Sequence, residues 1–132
     1  MAKTEKLSYH NAEKYAYTLW SECEKETDSR LRLSNRMFGL VLMLGLESGA
    51  RISDLLKMKY SDIKEMKDRP NVFALNYYVT KSKAYHKWVI SAQLKGRIDI
   101  TREWLKLEYG YYGDYIFYNP KANKPFPPEW AS

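Results

Sequence analysis

The sequence LGLESGARISDLLKMKYSDI, residues 44 to 63, contains the end of one helix followed at once by the start of another. Gly49 closes an apolar run, at the position where a left-handed glycine commonly ends a helix. Arg51 then opens a short helix, predicted over about residues 51–58. Because its neighbours are apolar and its guanidinium cannot lose its charge, Arg51 needs a carboxylate, backbone carbonyls or a phosphate. Asp54, one turn later, is predicted to hold it in place.

Two helices are predicted upstream of this stretch. The first covers about residues 8–26, with Ser8 as its cap and one apolar stripe at helical spacing. A charged connection, residues 27–32, separates it from a second helix over about residues 34–48. That second helix is apolar nearly all round, which predicts that it is buried.

Downstream, the pattern changes to that of strands. Residues 59–71 are predicted to be a loop, and two segments rich in β-branched and aromatic residues follow, Val72–Val79 and His86–Ile90. The basic stretch between them is predicted to be the tip of a hairpin. A further helix is expected after Ser91, and the proline-rich end of the chain excludes regular helix there. The predicted fold class is therefore mixed, mainly α with a small antiparallel β-hairpin.

Composition limits the classes of partner and compartment. The 132 residues carry 22 Lys and Arg against 16 Asp and Glu, a formal net charge of +6, which favours a polyanionic partner. Cys23 is the only cysteine, so no internal disulfide can form and a reducing compartment fits best. The N-terminus shows no secretory signal. The most apolar run, residues 37–46, is shorter than the roughly 20 residues of a membrane span, so no membrane partner is expected.

The segment SGARISDLLKMKYSDI, residues 48–63, resembles the arginine motif of the tyrosine recombinases, the family of the phage integrases. That motif has the pattern T-G-L-R-I-S-E-L-L-x-L-x-W-x-D-I. The resemblance implies that Arg51 contacts the scissile phosphate of DNA, with Asp54 as its support. The departures remove no functional group: Ala50 replaces a leucine, Asp54 a glutamate and Tyr60 a tryptophan.

The hairpin, residues 72–90, carries the second part of the resemblance. The family follows its arginine motif with a β-hairpin whose turn reads like T-K-T-x-K, and the matching turn here is TKSK, residues 80–83. The resemblance implies that Lys81 reaches the DNA minor groove and helps to protonate the leaving 5′ oxygen. It also implies that Lys83 and Lys87 contact the DNA backbone.

These residue types suit the chemistry that the resemblance implies. A guanidinium offers a planar fork that matches two phosphate oxygens, and fixed cations stabilise the charge that builds on those oxygens as phosphorus becomes five-coordinate. Such cations make a metal unnecessary, and the sequence has two histidines, one cysteine and no ligand cluster. No metal and no cofactor are therefore expected. The expected partners are double-stranded DNA and other recombinase protomers.

The rest of the family's catalytic set has no match in the sequence. The family completes its site downstream with an H-x-x-R motif and a nucleophilic tyrosine. His86 does not stand in such a motif, and none of the twelve tyrosines has the nucleophile's context. The resemblance spans about Arg32–Phe126, the N-terminal part of the family's catalytic domain, with one helix in place of the usual core-binding domain. We therefore expect residues 1–132 to be one partial catalytic domain of a bacterial or phage-encoded cytoplasmic protein, inactive alone.

Three functions stay open at this point. The first is a fragment of a DNA recombinase or integrase, the second a non-catalytic DNA-binding module that assembles with a complete recombinase, and the third an interaction domain that reuses the fold. The first two predict salt-sensitive DNA binding and the third predicts none. The presence of both Arg51 and Lys81 favours the first. Taken singly, Arg51 and Asp54 also fit a structural ion pair at a helix start, and Lys81 a solvated turn lysine.

Overall fold

A computed structural model describes residues 9–131. The chain divides into two compact units, one up to Gly49 and one from Ala50 onward. That both belong to one partial catalytic domain stays a prediction. Within residues 9–131, no helix combines the length and the apolar character that crossing a bilayer requires.

The first unit is a pair of helices that pack closely. Helix α1 (Tyr9–Ser21) and helix α2 (Ser29–Ser48) are joined by a short 3-10 turn (Cys23–Lys25). Gly39 on α2 permits the close approach, because a Cβ atom there would lie 2.5 Å from the backbone oxygen of Ala16. The two backbones are therefore in direct contact at this point.

The ends of these helices differ in part from the prediction. Helix α1 is shorter than expected because the 3-10 turn replaces its last part, and its predicted cap, Ser8, lies outside the described residues. Helix α2 begins at Ser29, within the expected connection, because the Asp28 side chain accepts a hydrogen bond from the backbone nitrogen of Arg30 at 2.9 Å. At the other end Gly49 has a φ of 73°, so the predicted left-handed helix stop is confirmed.

The interior of the first unit is apolar and includes a buried arginine. Arg36 on α2 is 7% exposed; its Nη1 donates to the backbone oxygen of Trp20 at 2.9 Å, and its guanidinium lies 4.8 Å from the centroid of the Trp20 ring. The carbonyl and the π face take the place of water around the charge. The buried apolar residues of this unit are Ala16, Trp20, Cys23, Leu33, Met37, Leu40, Val41, Met43 and Leu44.

The second unit is built on a three-stranded antiparallel sheet in the order β1-β2-β3. In chain order its elements are α3 (Ile52–Leu55), a 3-10 turn (Tyr60–Asp62), β1 (Ile63–Met66), β2 (Arg69–Val79), β3 (Ala84–Ile90), α4 (Ala92–Tyr109), β4 (Tyr118–Asn119), β5 (Lys124–Pro125) and a final 3-10 turn (Pro128–Ala131). The predicted hairpin and the mixed, mainly α fold class are confirmed. The loop expected over residues 59–71 is wrong in part, because it contains β1, whose Ile63 pairs with Leu75 of β2.

Successive side chains of a strand point to opposite faces of the sheet, and residues 75–78 of β2 alternate between buried and exposed. On the buried face, Leu75 of β2 lies opposite Trp88 of β3. On the exposed face, Asn76 lies opposite Lys87. The register therefore places the lysine of β3 on the solvent side of the sheet.

The ends of helix α4 are set by local signals. The Ser91 hydroxyl accepts a hydrogen bond from the backbone nitrogen of Leu94 at 3.2 Å, as expected for a cap. Gly110 ends the helix with a φ of 65°. The chain then returns to the segment after α3, where the backbone nitrogen of Tyr60 donates to the oxygen of Asp114 at 2.8 Å.

Candidate nucleic-acid interface

Arg51 stands at the very start of helix α3. Its backbone is extended, with φ −74° and ψ 149°, and its carbonyl oxygen accepts hydrogen bonds from the nitrogens of Asp54 and Leu55 at 3.0 and 2.9 Å. The side chain is exposed, and with the described residues its guanidinium forms no hydrogen bond, ion pair or ring contact. A guanidinium in this position is accessible to an anion from outside the unit.

Asp54, by contrast, is buried, with 3% of its surface exposed. Its Oδ1 accepts a hydrogen bond from the Thr80 hydroxyl at 2.8 Å and lies 3.5 Å from the Thr80 backbone nitrogen, which is a long contact. Its Oδ2 has no hydrogen-bond partner among residues 9–131. The partner observed for Asp54 is therefore Thr80 rather than Arg51. A supporting role of Asp54 toward Arg51 stays a prediction.

The lysine turn occupies residues 80–83, between the last pair of the hairpin, Val79 with Ala84. The turn is closed by its own backbone, since the nitrogen of Lys83 donates to the oxygen of Val79 at 2.8 Å. Lys81 and Lys83 are both exposed, and Lys83 has a φ of 54°. That is a left-handed conformation, which asparagine or glycine adopts far more readily than lysine.

Lys87 lies further along β3, on the exposed face of the sheet. Next to it on that face, Tyr78 and Tyr85 form an edge-to-face pair with ring centroids 5.2 Å apart. The hairpin therefore carries two lysines at its tip and a third on its outer surface. All three side chains are accessible to a polyanion.

A cavity of about 210 Å³ lies beside the buried carboxylate. Helix α3, the turn after it and the hairpin all contribute to its wall. Its lining residues are Asp54, Lys57, Met58, Lys59, Asp62, Asn76, Tyr77, Tyr78 and Tyr85. Asp54 thus borders open space between helix α3 and the hairpin.

Two tyrosines of this unit have perturbed acidity. Burial raises the pKa of Tyr60 well above its usual range, although the guanidinium of Arg102 lies 4.3 Å from its ring centroid. Burial also raises the pKa of Tyr111 to about 12, and its hydroxyl donates to the backbone oxygen of Tyr115 at 2.9 Å. A raised pKa makes a phenol a weaker nucleophile at neutral pH. Neither environment activates its tyrosine.

Histidine and cysteine, which often bind metals or act as catalytic groups, are rare in this sequence, with two histidines and one cysteine. His86 is exposed on β3, with its Nε2 3.5 Å from the Ser82 hydroxyl oxygen. Among residues 9–131 no group of three or more His, Cys, Asp or Glu side chains could hold a metal ion. Cys23, in the first unit, is buried, and this burial raises the pKa of its thiol.

Sequence reasoning missed Thr80 as a functional candidate. Thr80 directly precedes Lys81, and its hydroxyl joins the hairpin to Asp54, 26 residues away. Spacing along one helix pointed to Arg51 as the partner of Asp54, and no local pattern points to a donor on another element. The threonine that begins the turn sequence TKSK, residues 80–83, was the one signal in the sequence that could have pointed to Thr80.

Comparison with known proteins gives a structural match and no sequence match. No protein-family model and no curated protein matches the chain. Among solved structures, the XerH site-specific recombinase bound to difH substrate, in a pre-cleavage complex, matches 86% of this chain with a TM-score of 0.53 and 18% sequence identity. The match covers 30% of the XerH chain.

This likeness identifies the fold. The chain has a partial tyrosine-recombinase catalytic-domain fold, as the arginine motif and the hairpin predicted. The identity is too low to carry residue roles across, so the roles of Arg51, Lys81, Lys83 and Lys87 stay predictions. The chain spans less than a third of the recombinase it matches.

Proposed function

We propose that this chain is part of the catalytic domain of a site-specific DNA recombinase or integrase. Such an enzyme cuts and rejoins DNA through a phosphotyrosine intermediate. In this proposal the chain contributes DNA contacts and two catalytic cations, Arg51 and Lys81, and a tyrosine outside residues 1–132 contributes the nucleophile. The observation that carries the proposal is the hydrogen bond of the buried Asp54 to Thr80, because it joins helix α3, which begins directly after Arg51, to the lysine turn.

The roles follow from the charge that develops at phosphorus. When the tyrosine oxygen attacks, negative charge grows on the non-bridging phosphate oxygens, and a guanidinium can bind two of them at once. Arg51 is accessible for this role. The bond from phosphorus to the 5′ oxygen breaks as the phosphotyrosine bond forms, and the leaving oxygen takes a proton. A lysine ammonium such as that of Lys81 is an acid that can supply it.

Lys83 and Lys87 extend the same interface along the DNA backbone. Each is exposed, and each adds a positive charge to the hairpin that bears Lys81. Lysine contacts with phosphate release counterions and are independent of sequence, so they position the duplex without selecting a site. The partner of this surface is double-stranded DNA, and the complete reaction also needs other recombinase protomers.

A non-catalytic DNA-binding or recombinase-partner module is the second candidate. One observation favours it: Arg51 has no carboxylate partner among the described residues. In this reading the hairpin lysines bind DNA and the arginine is not fixed for catalysis. The two candidates differ in the effect of removing Arg51, which is large for the first and small for the second.

The test measures the affinity of the full chain for a fluorescent duplex oligonucleotide at several salt concentrations. Arg51→Ala is compared with Arg69→Ala, which removes the same charge from another exposed arginine of the same unit. We expect Arg51→Ala to weaken binding on the order of tenfold, because a charge-assisted contact to phosphate is lost, and Arg69→Ala to have a small effect. Equal affinities of Arg51→Ala and the parent at every salt concentration would contradict the role of Arg51.

A second experiment tests the missing nucleophile. The chain is incubated with a nicked duplex that traps covalent intermediates, and the products are separated under denaturing conditions. We expect no protein–DNA adduct, because neither Tyr60 nor Tyr111 has a lowered pKa and the sequence offers no tyrosine in the nucleophile's context. A covalent adduct would show that one of the tyrosines of the chain attacks phosphorus.

A further inference from the structure

We infer that the hydrogen bond between Asp54 and Thr80 is a positioning device for Lys81. It fixes the place of the lysine turn relative to the helix that Arg51 opens, so that the two cations can meet the same phosphate. Asp54 and Thr80 act through Lys81 and do not themselves touch DNA in this account. The inference rests on the proposed function, since it assigns a task to Lys81.

The geometry of the bond supports this task. The Thr80 hydroxyl donates to Oδ1 of Asp54 at 2.8 Å. Asp54 is only 3% exposed, whereas Thr80 is an exposed residue. One end of the bond is therefore fixed in the interior of the unit and the other lies at the surface. Helix α3, which carries Asp54, also packs against strand β2, which ends at Val79 just before Thr80.

The turn does not need this bond in order to close. The backbone bond from Lys83 to Val79, at 2.8 Å, and the register pair of Val79 with Ala84 already define the hairpin end. The bond from Thr80 to Asp54 additionally fixes the position of the hairpin tip relative to α3. In the inference, loss of this bond lets the four-residue tip move relative to α3.

The residue types fit a positioning role better than a merely solvated turn. A hydrogen bond to a carboxylate is stronger than one between neutral groups, and a buried carboxylate that loses its donor is destabilised. Threonine is also stiff at χ1, because its β-carbon is branched, so its hydroxyl and its backbone move together. The backbone of Thr80 leads directly into Lys81. The position of the Thr80 hydroxyl therefore limits where the lysine side chain begins.

The test is a double-mutant cycle between Thr80 and Lys81, measured as affinity of the full chain for a fluorescent duplex oligonucleotide. Thr80→Val removes the hydroxyl and keeps the branched shape. We expect it to weaken DNA binding about fivefold when Lys81 is present. In the Lys81→Ala background, Thr80→Val should change the affinity by less than about twofold, because the group that it positions is gone.

Two further variants distinguish positioning from a general loss of structure. Thr80→Ser keeps the hydroxyl and should retain the affinity of the parent. Ser82→Ala removes a hydroxyl from the same turn, one that does not contact Asp54, and should also leave the affinity unchanged. The thermal unfolding midpoint of each variant shows whether the fold is intact.

The amide signals of the turn give a readout that does not depend on DNA. In NMR relaxation measurements on the free chain, Thr80→Val should increase the motion of the Lys81 amide, whereas Ser82→Ala should leave that motion unchanged. Two results overturn the inference: unchanged motion of the Lys81 amide in Thr80→Val, or an equal loss of affinity from Thr80→Val with and without Lys81. Failure of the parent chain to bind duplex DNA overturns the proposed function instead, and the NMR result then decides the positioning alone.

Discussion

Two of the hairpin turns in the second unit solve the same geometric problem in different ways. The turn between β2 and β3, residues 80–83, carries lysines, and the turn between β4 and β5, residues 120–123, carries asparagine at its end. Each places one residue other than glycine in the left-handed conformation, Lys83 with a φ of 54° and Asn123 with a φ of 58°. The residues of the turn between β4 and β5 favour the local turn conformation. The residues of the turn between β2 and β3 do not.

The turn between β4 and β5 is held by its own side chains. The Asn119 side-chain oxygen accepts hydrogen bonds from the backbone nitrogens of Lys121 and Ala122 at 3.0 and 3.3 Å. The Tyr118 hydroxyl donates to the side-chain oxygen of Asn123 at 2.8 Å. Asparagine is one of the residues that tolerates the left-handed conformation, so every choice here favours the local structure.

The lysine turn lacks this local support. Its left-handed residue is a lysine, which is strained by roughly 1 kcal/mol in that conformation. Its strong side-chain bond runs to Asp54, 26 residues away. Residues that break a local rule tend to mark functional positions, because the surrounding structure must hold them. The proposed binding role of the lysine turn predicts this difference.

The largest expected effect separates the two turns by their charges. One double variant combines Lys81→Ala with Lys83→Ala in the lysine turn. The other combines Lys121→Ala in the second turn with Lys124→Ala at the start of β5. Each variant loses two exposed lysines, so its net charge falls from +6 to +4. We expect the first pair to weaken binding to duplex DNA on the order of tenfold and to lower the salt slope by about 1.8, because two phosphate contacts are lost. The second pair should leave the slope nearly unchanged. Equal slopes in the two variants would mean that net charge alone governs binding.

A smaller effect is expected on stability at the asparagine turn. Asn123→Ala removes the acceptor of the Tyr118 hydroxyl and places a residue with less tolerance for the left-handed conformation at a φ of 58°. We expect the free energy of unfolding to fall by about 1 to 2 kcal/mol. Denaturant unfolding of the full chain measures the change. Tyr118→Phe serves as the control for the hydrogen bond alone, and an unchanged midpoint in both variants would remove the contrast between the turns.

The smallest effect is expected from giving the lysine turn the residue of the other turn. Lys83→Asn relieves strain at a φ of 54° and should raise the free energy of unfolding by about 0.5 kcal/mol. The same change should reduce the salt slope of DNA binding by about 0.9, since one phosphate contact is lost. A variant that is more stable and binds DNA as well as the parent would show that Lys83 is a solvated turn lysine.

Much of the fold could be predicted because its signals are local. Gly49 and Ser91 mark a helix end and a helix start through their own backbone and side-chain preferences, and both lie where the sequence predicted. The hairpin followed from its composition and its basic turn. Asp28, another local cap, was overlooked, and this is why α2 begins earlier than expected.

The remaining differences come from contacts between distant residues. Strand β1 was assigned to a loop, because four residues are too few for a periodic signal and their partner strand is recognised only in the folded chain. Asp54 was paired with Arg51 on helical spacing, whereas its observed donor is Thr80 on the hairpin. Sequence reasoning thus found Asp54, the acidic residue of the candidate site, and assigned it a partner on the same predicted helix. The structure adds Thr80, a partner from the hairpin.

The contact at Gly39 has a consequence for the variants that this protein can accept. Gly39 and Gly49 both lie on or at the end of α2, yet they exclude side chains for different reasons. At Gly49 the space is open and only the φ of 73° disfavours other residues, so asparagine is tolerable there. At Gly39 a Cβ would collide with the backbone of Ala16, and asparagine is as unacceptable there as alanine. In a library of all single substitutions, we expect only glycine to be recovered at position 39. Asparagine should be recovered at position 49, and this difference would distinguish the two glycines.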